Sequence, residues 1–394
     1  GGDTPIRTVL VGPGDAPTDL DYEDLLAGSD PYTPEEPEED DPVVLMYTGG
    51  TTGRPKGVVL DQRAELLNLY HIAATFGLGE HRVWLHQTPM FHAASMGGIL
   101  GIPASGGTSV FIPLFEPAAV LDAIEANGVD FTVMVPTMIA MVLDHPAFRA
   151  ERMSSLTDLV YGASPMPHAL LDRVLRLFPQ TGLWQGYGMT ESSSVLTVLT
   201  PDDHRRGGER LRSAGRPVMG VVVSVQDERG RVLGPGESGE VCARAGNFLV
   251  EYWNRPEETQ QVMHDGWYHT GDAGHMDAAG FVYLVDRVKD MIVTGGENVY
   301  SIEVENAIST YPGVAQVAVI GIPHPVWGEQ VHAVVVPAPG VTLTGDEIKD
   351  HARKTIAGYK VPKSVEFRTE PLPLSGAMKV LKRDLREAYR KEDT

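Results

Sequence analysis

The stretch that decides the fold is Tyr47-Thr-Gly-Gly-Thr-Thr-Gly-Arg-Pro-Lys-Gly57, a loop rich in glycine and threonine that lies between two apolar runs. Glycine lets a backbone approach a ligand closely. Threonine hydroxyls donate hydrogen bonds, and a lysine ammonium suits phosphate. We therefore predict a loop that binds a polyphosphate. Its candidate ligands are Thr48, Gly49, Gly50, Thr51, Thr52, Gly53 and Lys56.

The setting of Lys56 distinguishes this loop from a Walker loop. A Walker loop ends in Gly-Lys-Ser/Thr and leads into a helix whose N-terminus binds the phosphates. Here Lys56 stands between Pro55 and Gly57, and β-forming residues follow. The pattern predicts a strand–loop–strand unit. Taken alone, it is also compatible with a glycine-rich hairpin turn that binds nothing.

The composition limits the classes of partner. The 394 residues are 42% hydrophobic and 22% charged, which is typical of a globular protein with two domains. A net charge of −21 argues against nucleic acid and anionic membranes as partners. Residues 351–394 nevertheless carry a net +5. The single cysteine, Cys242, excludes an intrachain disulfide and a cluster of cysteine ligands, and it fits a cytoplasmic location. No apolar run approaches the ~20 residues of a membrane span.

Three regions follow from the pattern of strands and helices. Residues 1–41 read as an irregular segment that ends in an acidic linker. In 42–286, strand-like runs alternate with helical patterns, which predicts a large α/β domain with a parallel sheet. Alternating valines at 221–225 before a turn at 227–230 predict a small antiparallel β unit within it. Residues 287–394 predict a small α+β domain.

Five further segments carry residue types suited to chemistry. They are Phe91-His92, Gly162-Ala-Ser-Pro165, Gln185-Gly-Tyr-Gly-Met-Thr-Glu191, Tyr268-His-Thr-Gly-Asp272 and Asp286-Arg-Val-Lys-Asp-Met-Ile-Val-Thr-Gly-Gly-Glu-Asn298. Leu374-Ser-Gly-Ala-Met-Lys379 stands near the end of the chain. In this order and spacing, with the opening loop, they resemble the core motifs of the adenylate-forming superfamily of acyl-CoA synthetases, adenylation domains and luciferases. The resemblance runs from about residue 42 to the end of the chain.

The resemblance implies an ATP site and an acyl site. The phosphate loop would hold the β- and γ-phosphates, and Glu191 would hold Mg²⁺, which needs only one or two carboxylates. Asp272 and Arg287 would bind the ribose, and Thr190 the α-phosphate. The adenine and the acyl phosphate would be surrounded by Gly162, Ala163, Gln185, Gly186 and Tyr187, with His92, Ala93, Gly162, Gly186 and Gly188 around the acyl substrate.

Lys379 is the residue that we expect to promote adenylation. A lysine ammonium is a permanent cation at neutral pH and can offset repulsion between the substrate carboxylate and the α-phosphate. Family members usually have glycine before this lysine, whereas this chain has Met378. If the backbone there needs a positive φ, methionine would be strained by ~1 kcal/mol or more. A second departure is Gly49, where the family commonly has serine.

The resemblance also implies transfer of the acyl group to coenzyme A. The C-terminal domain would be mobile and rotate about Lys289, within a hinge at 286–290, to bring Gly295, Gly296 and Glu297 to a thiol channel. Relatives usually carry a hundred or more additional residues before the phosphate loop, so we expect this chain to lack part of that region. A homodimer is compatible with the resemblance.

Residues after Phe91 bear on the substrate. Amino-acid adenylation domains place an aspartate there, whereas this chain has His92 and Ala93. We expect a medium- or long-chain fatty acid or another bulky hydrophobic acid, with His92 lining or gating the pocket and Met90 and Met96 contributing to it. Three alternatives stay open: a ligase that loads a separate carrier protein, a kinase-like NTPase, and a non-catalytic nucleotide-binding relative.

Overall fold

The computed structural model describes residues 8–12, 18–48, 55–287, 291–375 and 378–390, without the side chains of residues 286, 287 and 390. Its helices are α1 (Tyr22–Gly28), α2 (Gln62–Phe76), α3 (Ala93–Ala104), α4 (Pro117–Asn127), α5 (Pro136–Asp144), α6 (His168–Leu177), α7 (Pro201–Arg206), α8 (Pro256–Val262), α9 (Ser301–Ser309), α10 (Gly345–Ala352) and α11 (Lys382–Arg390). Within the described ranges, none of these helices is long and apolar enough to cross a bilayer.

The strands are β1 (Val9–Leu10), β2 (Leu20–Asp21), β3 (Pro42–Thr48), β4 (Lys56–Asp61), β5 (Val83–His86), β6 (Thr108–Phe111), β7 (Phe131–Met134), β8 (Asp158–Gly162), β9 (Gly182–Tyr187), β10 (Thr197–Leu199), β11 (Arg216–Pro217), β12 (Val222–Gln226), β13 (Ser238–Arg244), β14 (Glu251–Tyr252), β15 (Met263–His264), β16 (Trp267–Met276), β17 (Val282–Arg287), β18 (Ile292–Thr294), β19 (Glu297–Val299), β20 (Val314–His324), β21 (Gly328–Pro337) and β22 (Ser364–Phe367). The chain divides into two compact units, Gly1–Glu39 and Asp40–Thr394.

The first unit holds more regular structure than the sequence predicted. Strands β1 and β2 pair in parallel, and α1 follows directly. Asp21 caps this helix because its carboxylate accepts hydrogen bonds from the N–H groups of Glu23 and Asp24, at 2.8 and 3.2 Å. Acidic residues in the first turn also suit the positive end of the helix dipole. The expectation of an irregular segment was therefore wrong for residues 20–28, whose acidic residues start a helix.

A seven-stranded sheet forms the centre of the second unit. Its order is β11-β10-β9-β8-β7-β5-β6, and β6, β5, β7, β8 and β9 run parallel, as the alternating pattern predicted. One face packs against α4, α5 and α6 around buried Leu121, Met138 and Leu171. The other buries Phe131 and Val160 in a cluster that includes residues of α2, β4 and the antiparallel strands. This arrangement places the ends of β8 and β9 between two packed layers.

Two antiparallel sheets complete the larger part of this unit. One has the order β12-β13-β16-β15, with β17 beside β16, and the other has the order β14-β4-β3. The predicted hairpin is confirmed: β12 and β13 pair antiparallel, and the turn after β12 is held by Asp227, whose carboxylate accepts from the N–H groups of Arg229 and Arg231. The antiparallel sheets carry Lys56 and Asp272 to the cavity described below.

The described residues from 291 onward form the predicted α+β structure. Strands β19-β18-β21-β20, with β22 beside β21, make one sheet. Helices α9 and α10 pack on one face around Val304 and Ile348, and α11 packs with Leu385 in a separate cluster that includes Ile320. The predicted helix at 301–310 is α9.

Candidate active site

A cavity of about 1340 Å³ lies beside the ends of β8 and β9. Ligands of open α/β sheets gather at the carboxyl ends of parallel strands. Six separate segments of the sequence contribute predicted site residues to the lining: Thr48, Lys56, His92, Ala93, Gly162, Ala163, Gln185, Gly186, Tyr187, Gly188, Thr190, Glu191, Asp272 and Lys379. The fold thus brings together residues that are up to 331 positions apart in the sequence.

The loop that is predicted to bind phosphate lies between two paired strands, as expected. Thr48 and Lys56 end β3 and begin β4, and the structure pairs them directly across the antiparallel ladder. The middle of the loop lies outside the described residues, and it contains Gly49, Gly50, Thr51, Thr52 and Gly53.

Lys56 is held by residues that the sequence analysis missed. Its Nζ lies 2.5 Å from Glu258 Oε2 and 4.7 Å from the centre of the Tyr252 ring. The Tyr252 hydroxyl donates a hydrogen bond of 2.7 Å to Glu191 Oε1. Burial and the nearby Glu191 raise the pKa of Tyr252, which keeps this hydroxyl protonated as a donor. Tyr252 therefore contacts both Lys56 and Glu191, the predicted phosphate and magnesium ligands.

Glu191 lies on a short 3₁₀ turn, Thr190–Ser192, whose continuation is strained. Ser193 has φ 56° and Ser194 has φ 153°, both in the region that favours glycine. Two buried amides hold this backbone: Asn247 Nδ2 donates to Ser192 O at 2.7 Å, and Asn68 Nδ2 donates to Ser193 O at 3.1 Å. The position of Glu191 thus depends on side chains beneath the cavity.

Glu65 lies in the same buried region. It is 5% exposed, and its pKa is raised to about 7 because burial disfavours the carboxylate, while Asn68 and Ser193 lower it in part. Among the described residues, neither oxygen of Glu65 has a hydrogen bond of normal geometry, nor do Asn68 Oδ1 and Asn247 Oδ1. A protonated Glu65 can donate to such acceptors. No sequence motif marks this position, so sequence reasoning had no means of finding it.

Gly162 and Gly186 pair across β8 and β9, and their close approach shapes the wall of the cavity. A Cβ atom on Gly162 would lie 2.2 Å from the carbonyl oxygen of Gly186, which no side chain can tolerate. The next residue, Ala163, has φ 63°, an uncommon conformation for a residue with a Cβ. Strain of this kind is frequent at ligand sites.

Asp272 and Tyr187 face each other in the cavity. The Tyr187 hydroxyl donates to Asp272 Oδ2 at 2.7 Å. The register of β16 and β17 places Asp272 directly opposite Arg287, so the two residues predicted to bind ribose occupy paired backbone positions. The Arg287 side chain lies outside the described part of the structure.

His92 begins α3 as its N-cap. Its Nδ1 accepts a hydrogen bond from the N–H of Ala94 at 3.2 Å, which assigns a neutral imidazole with its proton on Nε2. Burial lowers the pKa of His92 to about 4, and the positive charge of Lys379 contributes to this shift. Lys379 therefore lies close to His92 in the same cavity, with the imidazole uncharged at neutral pH.

Apolar side chains line the part of the cavity beside α2 and α3. They are Ile72, Phe76, Trp84 and Val133, together with the backbone of Gly97. The expectation that Met90 and Met96 would line the pocket was wrong: neither is among the lining residues, and Met90 is 60% exposed. The apolar wall comes instead from α2, β5 and β7, where no motif indicated it.

Met378 has φ 60°, the positive φ that glycine adopts without strain and that the absence of glycine here makes costly. Ser375 N–H donates to Lys379 O, and Met378 N–H donates to Ser375 O, both at 2.8 Å. A φ of this kind lies in the left-handed region, which favours glycine over a residue with a Cβ. The methionine side chain packs beside a core cluster of the large sheet, so it has contacts that glycine lacks. Lys379 nevertheless reaches the cavity.

The residues predicted for thiol transfer lie elsewhere. Gly295 and Gly296 have φ 61° and 85° and form the tight turn between β18 and β19, followed by Glu297. None of the three is among the residues lining the cavity. The predicted hinge residue, Lys289, lies outside the described residues.

Comparison with known families agrees with this geometry. Residues 3–253 match the AMP-binding enzyme family, and residues 303–379 match the AMP-binding enzyme C-terminal domain. The chain therefore belongs to the AMP-binding enzyme family, and the predicted adenylate-forming class is confirmed. The family match begins near residue 3, whereas the motifs indicated a resemblance that begins at about residue 42. Membership also removes the kinase-like NTPase alternative.

Individual relatives point to acid activation. The chain is 43% identical to a feruloyl-CoA synthase from an Amycolatopsis species, over 89% of the chain and 70% of that protein. It is 38% identical to a fatty acid–[acyl-carrier-protein] ligase of Streptomyces coeruleorubidus, over 90% and 69%. Among solved structures, it is similar to an O-succinylbenzoate coenzyme A synthetase from Bacillus subtilis in complex with ATP and a magnesium ion, with a TM-score of 0.82, 29% identity, and coverage of 94% and 74%.

Proposed function

We propose that this protein is an AMP-forming acyl-CoA ligase for a carboxylic acid whose acyl part is uncharged and hydrophobic, such as a fatty acid or an aryl acid. The observation that carries the proposal is that Lys379, Glu191 and His92 share one cavity with an apolar wall. Lys379 and Glu191 are suited to phosphate chemistry, and the apolar wall is suited to an acyl group. The named relatives, which act on ferulate and on fatty acids, support the same class.

In the first half-reaction, a carboxylate oxygen of the substrate attacks the α-phosphorus of ATP. The bond from the α-phosphorus to the bridging oxygen breaks, and pyrophosphate leaves. Lys379 stabilises the negative charge shared between the two reacting groups. Thr190 donates to the α-phosphate, Lys56 and the phosphate loop bind the departing pyrophosphate, and Asp272 accepts from the ribose hydroxyls.

The residues present also fit a magnesium ion. A carboxylate has lone pairs for both a hydroxyl donor and a cation, so Glu191 can keep its hydrogen bond from Tyr252 while it holds Mg²⁺. Mg²⁺ needs only one or two protein carboxylates beside phosphate oxygens and water. The ion would supply positive charge to the phosphates.

In the second half-reaction, the thiol of coenzyme A attacks the acyl carbon, AMP leaves, and the thiol proton passes to solvent. We infer that the segment 286–290 permits the necessary movement of the C-terminal domain and that Gly295, Gly296 and Glu297 then border the thiol. Their present place outside the cavity is compatible with the adenylating arrangement, in which Lys379 occupies the site.

The test is an AMP-release screen with and without coenzyme A. We expect release with fatty and aryl acids, little with amino acids or dicarboxylates, and thioester formation when coenzyme A is present. Lys379→Ala should slow adenylation 10²–10³-fold, about 3–4 kcal/mol. Lys354→Ala, at an exposed lysine, serves as a control for lost positive charge. Equal adenylation by Lys379→Ala and the parent would contradict the mechanism.

The relative from Streptomyces coeruleorubidus favours a second candidate, a ligase that loads an acyl carrier protein. Pyrophosphate exchange with a hydrophobic acid, but no thioester with coenzyme A, would select this candidate. ATP binding without exchange for any acid in the screen would select a catalytically impaired relative instead.

A further inference from the structure

Three side chains of different chemical type converge beside the cavity. Glu240 and Cys242 lie two residues apart on β13, and Cys242 is paired directly with His269 of β16. His269 Nδ1 lies 2.9 Å from Glu240 Oε2 and 3.4 Å from Cys242 Sγ, and all three donor atoms lie within 4.8 Å of one another. Cys242 is fully buried, while Glu240 and His269 also line the cavity.

Hydrogen bonds alone cannot satisfy all three side chains at the same time. Nδ1 of His269 either carries a proton, which it donates to Glu240, or lacks one and accepts from Cys242. The thiol's remaining contact is with Glu240 O at 3.8 Å, which is long even for sulfur. A single cation among the three atoms would contact all of them.

The donor set and spacing suit a zinc-like ion. Zinc binds thiolate sulfur at about 2.3 Å and imidazole nitrogen or carboxylate oxygen at about 2.0–2.2 Å, so tetrahedral ligand atoms lie roughly 3.3–3.6 Å apart. The 3.4 Å from His269 Nδ1 to Cys242 Sγ agrees with this range, and the 2.9 Å from His269 Nδ1 to Glu240 Oε2 is shorter than it by a few tenths of an ångström. The third pair of donor atoms, on Glu240 and Cys242, lies within 4.8 Å. Side chains at positions i and i+2, with a cross-strand neighbour, project from the same face of a sheet.

We propose that Glu240, Cys242 and His269 form a binding site for a thiophilic divalent cation such as Zn²⁺, with its fourth coordination position towards the cavity. On binding, the Cys242 thiol loses its proton to solvent and the thiolate sulfur bonds to the metal. This site differs in ion preference from Glu191, the predicted magnesium ligand, because thiolate and imidazole ligands select softer ions than Mg²⁺.

The site also has a connection to the nucleotide pocket. Glu240 Oε1 accepts a hydrogen bond of 2.9 Å from the N–H of Gly271, the residue before Asp272. The His264 ring stacks on His269, with the ring centres 3.7 Å apart, and so covers one face of this ligand. A metal bound through Glu240 Oε2 can therefore fasten β13 to β16 just before the predicted ribose ligand.

Cobalt(II) is the appropriate probe, because a cobalt–thiolate bond has a characteristic near-ultraviolet charge-transfer absorption. The chain has one cysteine, so any such band must come from Cys242. We expect one equivalent of Co²⁺ to produce the band in the ATP-free protein. Stoichiometric Zn²⁺ should displace it, and millimolar Mg²⁺ should not. Absence of the band with excess Co²⁺ would overturn the proposal.

Two variants distinguish a built site from adventitious binding. Cys242→Ser should lose the band, and His269→Gln, which keeps the cysteine, should weaken Co²⁺ binding at least tenfold. A parallel change at His324, a histidine far along the sequence on β20, should leave Co²⁺ binding unchanged. If His269→Gln binds Co²⁺ as the parent does, the inference is wrong. The measurement uses no ATP or acid, so its outcome is independent of the proposed ligase activity.

Discussion

Lys56 Nζ lies 2.5 Å from Glu258 Oε2, so the lysine that is predicted to bind ATP phosphates is already paired with a carboxylate. Glu258 also accepts from Arg255 at 2.6 Å, and these two cations lower its pKa. The side chains of Lys56 and Glu258 are only 15% and 25% exposed. A polyphosphate that reaches Lys56 must therefore compete with Glu258 for it.

Replacing Glu258 by Gln should strengthen ATP binding. The change removes both the competing partner and a negative charge close to the phosphates. Ion pairs that solvent can reach contribute up to about 1 kcal/mol, and this pair is still partly open to solvent. We therefore expect KM for ATP to fall about two- to fivefold with kcat little changed. Glu257→Gln is the matched control, since it removes the same charge from the neighbouring exposed position. An unchanged or higher KM in Glu258→Gln would mean that Glu258 positions Lys56 and does not compete with the ligand.

Met378→Gly tests whether backbone strain limits Lys379. A residue with a Cβ costs roughly 1–2 kcal/mol in the left-handed region, whereas glycine does not. Met378 has φ 60°, so we expect the glycine variant to increase pyrophosphate exchange up to about fivefold. Met378→Ala removes the packing of the methionine but keeps the strain, and it should show no such gain. Equal rates in the two variants would show that packing, and not φ, controls this loop.

Because the carboxyl group of Glu65 is buried, we expect an unusual dependence of the free energy of unfolding on pH. Its pKa is about 7 in the folded protein, against an ordinary value of 4.5. Between these values the folded chain keeps a proton that the unfolded chain has lost, so the free energy of unfolding falls as pH rises. The contribution lost between pH 4.5 and 7 is on the order of 3 kcal/mol.

Glu65→Gln should remove this contribution, since a neutral amide replaces the protonated acid. Chemical denaturation of both proteins between pH 5 and 8 gives the comparison. The buried residues His86, His92 and His204 have lowered pKa values and act in the opposite direction, but they are present in both proteins. Glu228→Gln removes the same charge from an exposed turn. Parallel stability curves for Glu65→Gln and the parent would contradict the assignment.

The sequence predicted residues whose role depends on local motif and chain order. Lys379 ends the short motif 374–379 and Asp272 ends the motif 268–272, and the cavity contains both. The parallel sheet was also predictable, because alternating strands and helices leave few other folds. Even the strain at Met378 could be anticipated from the absence of glycine there.

Residues that act through distant pairing could not be predicted. Glu258 contacts Lys56 across 202 positions, and Tyr252 reaches Glu191 across 61. Neither residue has a local signature, because a glutamate near the start of an exposed helix and a tyrosine beside apolar residues are both common in sequences. Glu65 looks like an ordinary helical carboxylate until tertiary packing buries it. Such contacts depend on the fold itself.

Gly162→Ala and Gly186→Ala test how the shape of the cavity wall affects substrate binding. The added Cβ would lie 2.2 Å from Gly186 O, so β8 and β9 must move apart. Overpacking of this kind costs typically 1–3 kcal/mol, and we expect that loss in stability together with weaker binding of both ATP and acid. Gly186→Ala is the informative partner, because its nearest neighbour would be Val160 Cγ1 at 3.9 Å, which is ordinary contact. This variant should fold with the stability of the parent, yet its methyl group projects from a residue that lines the cavity. A Gly186→Ala protein with unchanged KM for both substrates would mean that the acyl phosphate lies elsewhere in the cavity.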